Sequence, residues 1–337
     1  MTAVPTAPAE APALRRSLRP RGLVWTMLCL HRAALLFWAL LVAVAAGTLL
    51  WAWGPGTKGL WTEYRTMRCA FSGQDFGQDL SCDYTGDAYM ALDLATSLGG
   101  LIITIVPFLV AVWASGALIA RELETGTAEL AWTQSVSPAR WLAAKLAVPA
   151  VLLASGTALL TLLHRLMWPS DRELLRWLSW QWYDDVAFRG NGPVAVAYAL
   201  LGLAVGVLVG LLVHRSLPAL GISLVCLLAV HFALVMLRPY LWPSVTLTKT
   251  DQYSISGGMP VDDGAITPLG NRVPNPCGGE GPGCLTQHHI AGFYFDYHPS
   301  SHFWPLQLVE TGIVLSLAAL AVLASFRLLN RHTGDAA

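Results

Sequence analysis

Six apolar runs, 33–53, 94–119, 146–163, 193–213, 217–237 and 305–326, decide what this chain can become. A helix needs about 20 apolar residues to cross the ~30 Å hydrocarbon core of a bilayer, and each run is close to that length. Lipid offers no partners to backbone N–H and C=O groups, so only helices or closed barrels can span it. The runs therefore predict six membrane-spanning helices. Charge supports this, since charged residues make up only 12% of the chain, about half the usual share in soluble domains. The expected fold is an all-α, multi-pass protein of the cell membrane, with interfacial helices and a large polar loop between spans five and six. A net charge of zero argues against a nucleic-acid partner.

Taken in order, the chain divides into a tail with an interfacial helix (1–32), a six-span domain (33–326) and a second tail (327–337). Residues 1–13 are Ala/Pro-rich and read as disordered. Arg15, Arg16, Arg19 and Arg21 follow, a basic cluster suited to the cytoplasmic face and to anionic lipid. Leu23 to Leu30 is too short to span and reads as an interfacial helix. The first run ends in Trp51 and Trp53, as at a membrane interface. A signal peptide is the competing reading of this run, but its apolar core would be about 7–15 residues, which favours an uncleaved span. Pro107 predicts a kink in the second span. Ser170 and Glu173 have the spacing of a capping box, and Leu174, Leu175, Trp177, Leu178 and Trp182 then recur as one face of an amphipathic helix. In the fourth span Gly202, Gly206 and Gly210 make a small-residue face. Such a face lets another helix approach closely, either within the chain or from a second copy.

Lys and Arg divide nearly evenly between the two sets of loops, 11 against 10. The set formed by both tails, 120–145 and the turn at 214–216 is much shorter, so its basic density is about twice as high, which assigns it and both termini to the cytoplasm. Segments 54–93, 164–192 and 238–304 are then outside. Cysteine agrees with this: Cys69 with Cys82, and Cys277 with Cys284, share outer loops. On an oxidising side each pair is expected to form a disulfide. Cys29 and Cys226 are expected to be free thiols.

The segment between spans two and three is a charged island, Arg121 to Lys145. Glu122 and Glu124 precede Gly126-Thr127, and Ser137-Pro138 and Arg140 follow a second short stretch. This reads as a short helix, a glycine break, a second short helix and a turn. A solvated connector is the plain alternative, though Trp132 and Trp141 would be unneeded in one. Here the sequence resembles the type-2 permeases of ATP-binding-cassette (ABC) exporters, actinobacterial members in particular. In that family an E-x-E-x-G-T signature, followed by a Ser/Pro turn and Arg, marks the cytoplasmic loop that docks on the ATPase. The resemblance implies a coupling role for Glu122, Glu124, Gly126, Thr127, Ser137, Pro138, Arg140 and Lys145, with Trp132 or Val136 filling the ATPase groove. It also implies a separate ATPase subunit, which would carry ATP and Mg, and a second permease chain, as a homodimer, set in membrane lipid. No cofactor is expected on this chain. The resemblance covers the span order of the whole chain, but its motif covers only about 25 residues.

Other candidate chemistry is thin. No phosphate loop is present, and Gly54 to Gly59 lacks its spacing, so the chain is not expected to be an enzyme. His288, His289, His298 and His302 gather near Asp296 and Cys284, but without a metal-binding pattern, so no metal is expected. Asp184-Asp185 and Asp262-Asp263 read as turn or cap residues. His231 in span five and Glu310 in span six fall at similar depth, which predicts that they meet or share a polar cavity. Two other functions stay open at this point. One is a membrane-embedded interaction or regulatory protein that binds a partner through the large outer loop. The other is a proton-coupled transporter, for which the spans hold few ionisable groups.

Overall fold

The computed structural model describes residues 22–66, 86–133, 136–168, 181–250, 257–277 and 282–334. Six helices among them are long and apolar enough to cross a membrane: Arg32–Thr62, Asp87–Glu124, Pro138–Met167, Val194–Val213, Ser216–Tyr240 and Ser300–Arg331. They coincide with the six apolar runs, and all but the fourth extend beyond them. An apolar run marks what lipid requires, whereas backbone hydrogen bonding continues through polar turns. A separate short helix, Leu23–Leu30, breaks from the first span at His31 (φ −103°, ψ 23°).

The fourth span is the centre of the bundle and packs on the second, third, fifth and sixth. Of its most apolar stretch 67% is buried, against 11% in the first span, which lies at the periphery. The glycine face explains how it fits. A Cβ on Gly206 would come within 2.5 Å of the Ala111 carbonyl oxygen, and one on Gly210 within 2.9 Å of the Ser115 oxygen. Gly202 likewise faces the Pro107 carbonyl. Lipid gives no hydrophobic drive for helix association, so close backbone approach of this kind supplies the packing. The glycines are thus spent on span two within the chain. Span two is itself irregular, with Pro107 in its interior and a buried π-helical stretch at Ala114–Ala120. There Ser115 is hydrogen-bonded to Ser223 of span five at 2.8 Å.

The chain is not all-α. Between spans five and six lies an antiparallel sheet of β1 (Val245–Lys249), β2 (Met259–Ile266), β3 (Arg272–Val273) and β4 (Gly292–His298), in the order β1-β4-β2-β3. Strand β4 pairs on both edges, with Val245 of β1 opposite Tyr297 and Ala265 of β2 opposite Phe293. The sheet is tied to the bundle by His298 Nε2 against the Pro239 carbonyl (2.9 Å) and by Trp182 Nε1, which donates to the Gly257 carbonyl (2.9 Å). Cys277 is joined to Cys284, with their Cα atoms 5.8 Å apart. Cys69 and Cys82, the basic cluster at 15–21 and the amphipathic stretch at 170–180 lie outside the described residues.

Candidate functional site

The connection between spans two and three is shorter than the sequence suggests. Helix runs to Glu124 on one side and restarts at Pro138 on the other, and a third short helix, Thr127–Thr133, fills the gap. Gly126 makes this possible. Its φ of +71° lies in the left-handed region that suits glycine, as at many helix C-termini. Thr127 closes the turn, its hydroxyl donating to the Glu122 carbonyl at 3.2 Å. Ser137 caps span three by accepting from the Arg140 amide (3.4 Å), with Pro138 at the first helical position.

The two glutamates have different anchors. Glu122 pairs with buried Lys145 of span three and accepts from Trp141 Nε1 at 3.3 Å. Glu124 reaches the N-terminus of span five, where it accepts from the Ser216 amide (3.0 Å) and hydroxyl (2.7 Å). A carboxylate there also meets the positive end of the helix dipole. The segment is thereby fastened to spans three and five as well as continuing span two. Trp132 and Val136 do not project from it. Trp132 packs edge-on against Trp141 (5.6 Å), and both Trp132 and Val136 rest on the buried cluster around Leu142 and Leu146. The large apolar side chain that does project is Leu130, 62% exposed, with Glu129 and Arg140 exposed on the same segment.

At the other end of the bundle, His231 and Glu310 belong to one buried cluster but are not direct partners. Glu310 is engaged by Arg238, whose Nε and Nη2 lie 2.8 and 3.2 Å from its oxygens, and by the Tyr198 hydroxyl at 3.2 Å. His231 Nε2 is 3.7 Å from Asp185. Asp185 in turn bridges Arg189 (2.8 Å) and Arg238 (3.3 Å). Two carboxylates thus face two guanidiniums, so the charges cancel without a protonated histidine. Phe188 supports Arg238, whose guanidinium stacks 4.1 Å above its ring.

Arg189, Arg238 and Tyr198 were not singled out from the sequence, and Asp185 was read only as a turn or cap residue. Asp185 and Arg189 stand at the i,i+4 spacing of a helical ion pair, which was the available signal. The helix that carries them, Asp185–Gly190, is drawn into the bundle, with Ala187 to Gly190 buried. Asp184 does act as a turn residue, accepting from the Gln181 amide at 2.7 Å. The loop histidines do not converge. His298 and His302 contact each other (3.0 Å), while Asp296 is held by Arg272 (2.8 Å). Among the described residues no group of three or more potential ligands is placed to hold a metal. Gly54 to Gly59 lies in the helical continuation of span one and is not a loop.

Comparison with known proteins adds one finding. No curated protein and no solved structure matches the chain. The model of a family described as ABC-2 membrane transporter related matches residues 36–238, which is more than half of the chain and runs from the first span to the fifth. Six of the chain's helices are long and apolar enough to cross a membrane, and this multi-pass chain belongs to the ABC-2 membrane transporter related family.

Proposed function

We propose that the chain is the membrane-spanning half of an ATP-driven exporter and that it docks on a separate ATPase through residues 121–138. The observation that carries this reading is the double anchoring of the segment. Glu122 holds it to span three and Glu124 to span five, so a push on it is delivered to three spans at once. A plain connector has no need of such fastening. In this reading exposed Leu130, with Glu129 beside it in sequence, is the contact offered to the ATPase, in place of Trp132 and Val136. ATP and Mg belong to that partner, and the chain hydrolyses nothing itself.

The segment and both termini then face the cytoplasm, and the sheet between spans five and six lies outside, where its disulfide is stable. Two permease chains, as a homodimer, would line the path. By resemblance to the type-2 exporters the cargo is a hydrophobic molecule or lipid. The test is to purify the full chain from its native membrane in mild detergent and identify what is retained. A bound ABC ATPase, lost from the Leu130→Glu variant, is the expected result. Recovery of the chain with no ATPase would reject the reading.

A further inference from the structure

Between the Leu23–Leu30 helix and the first three spans, on the side of the bundle towards residues 121–138, is a half-open cavity of about 330 Å³. Its walls are apolar and include Leu35 and Trp38 of span one, Val110 and Trp113 of span two, and Pro149 and Leu153 of span three. Phe37 and Leu109 also line it while remaining 58% and 41% exposed. They mark its mouth on the outer, lipid-facing surface of spans one and two. The size falls in the ~300–1,000 Å³ range of ligand pockets. Water does not fill a space with such walls, and left empty it costs the contacts its lining would otherwise make.

The lining also carries a polar side chain without a partner. His31, at the break before span one, lines the cavity, and its Nε2 is buried with no hydrogen-bond partner. Its ring stands edge-on to Trp113 at 5.6 Å. Burial is the main cause holding His31 below the ordinary histidine pKa, and nearby Lys145 adds to it against the opposing pull of Glu122. A neutral imidazole can offer one hydrogen bond, and an unmet one is costly in such surroundings. An apolar space bordered by an unpartnered hydrogen-bonding atom suits an amphiphile.

We infer that the cavity binds one acyl chain of a bilayer phospholipid, with His31 hydrogen-bonding to the lipid's ester or phosphate oxygen. The source is the surrounding leaflet, because the mouth opens where annular lipid already lies. The cavity walls and the packing of Trp132, Val136 and Trp141 belong to one apolar cluster. A bound chain would therefore support the floor on which the 121–138 segment rests. The inference needs only a membrane-spanning chain, and stands apart from the docking reading.

The full chain in nanodiscs of palmitoyl-oleoyl phosphatidylcholine, doped with phosphatidylcholine bearing a diazirine midway along one acyl chain, provides the test. After irradiation, adducts on residues 35–41, 109–113 and 148–153 should be denser than on the exposed face of span five, at Leu217, Val225 and Phe232. Ala34→Phe and Val148→Phe, which fill the space from two sides, should each cut the cavity adducts about tenfold, equivalent to roughly 1.4 kcal/mol of affinity. Adducts on span five should not change. If one variant does not fold, the other carries the comparison. His31→Leu should lower phospholipid labelling several-fold while leaving the thermal midpoint within a few degrees. Cavity adducts no denser than those on span five, or adducts unmoved by the filling variants, would overturn the site. Labelling by a diazirine fatty acid but not by the phospholipid would overturn the assigned occupant, and unchanged labelling in His31→Leu would overturn the role of His31.

Discussion

Glu122 and Glu124 stand two positions apart on a helix, about 200° around its axis, so their carboxylates leave on different sides and find different anchors. Lys145 is buried, so removing the charge opposite it is expensive. Glu122→Gln should cost about 3–5 kcal/mol, the range for leaving a buried ion unpaired. The double variant Glu122→Gln with Lys145→Met should recover most of that loss. Denaturation of the purified chain in detergent checks both, and an additive double variant would show that the pair is not coupled. Glu124 is exposed, and its contribution is positional. Glu124→Lys should leave the chain folded and inserted, yet abolish ATP-driven transport, because a cation at the start of span five repels the helix terminus. Full transport by that variant would separate Glu124 from coupling.

At the scale of elements, the contact between spans two and four carries the bundle. Gly206→Val has no room, since even a Cβ crowds the Ala111 oxygen. The expected penalty is about 1–3 kcal/mol for overpacking. Gly221→Val, at a position with nothing within 4 Å, is the control and should be close to neutral. Equal yields of folded protein from both would mean the glycine face is not a contact. The spans themselves were legible because lipid enforces long apolar runs. The glycine face was legible as a face, but its partner was not, because nothing in its spacing distinguishes span two from a second chain. The sheet was missed although Gly292-Phe-Tyr-Phe-Asp-Tyr-His298 is a run of strand-forming aromatics bounded by glycine and proline. Its proline- and glycine-rich surroundings hid it. Asp185 was read as a turn or cap residue and Arg238 fell in an outer polar segment because both lie beyond apolar runs; only tertiary packing brings them together and buries Arg238. The E-x-E-x-G-T signature marked the segment, but neither the anchoring of its glutamates on spans three and five nor the inward turn of Trp132 and Val136 could be read from it.

Across the whole molecule, the two ends of the bundle are held differently. One end is fastened by two separate glutamates, the other by a cluster that joins the Asp185–Gly190 helix to spans four, five and six. Arg238 is the hub of that cluster, facing both Asp185 and Glu310. Arg238→Met leaves Glu310 buried without a counter-ion and should cost about 3–5 kcal/mol, read as a lower thermal midpoint. Replacement of Glu310 by Gln in the same chain should restore part of it, and a midpoint equal to that of the unaltered chain would remove Arg238 from the scaffold. Docking of 121–138 on an ATPase makes a sharper demand on position. A photo-crosslinking amino acid placed in turn at Leu130, Trp132 and Leu269 in native membranes tests it directly. Leu130 projects from the segment, Trp132 is packed beneath it, and Leu269, 88% exposed, sits in the sheet-bearing segment. The expected result is an adduct with an ABC ATPase from position 130 and none from 132 or 269. An ATPase adduct from 269, or none from 130 while ATPase is present in the membrane, would contradict it.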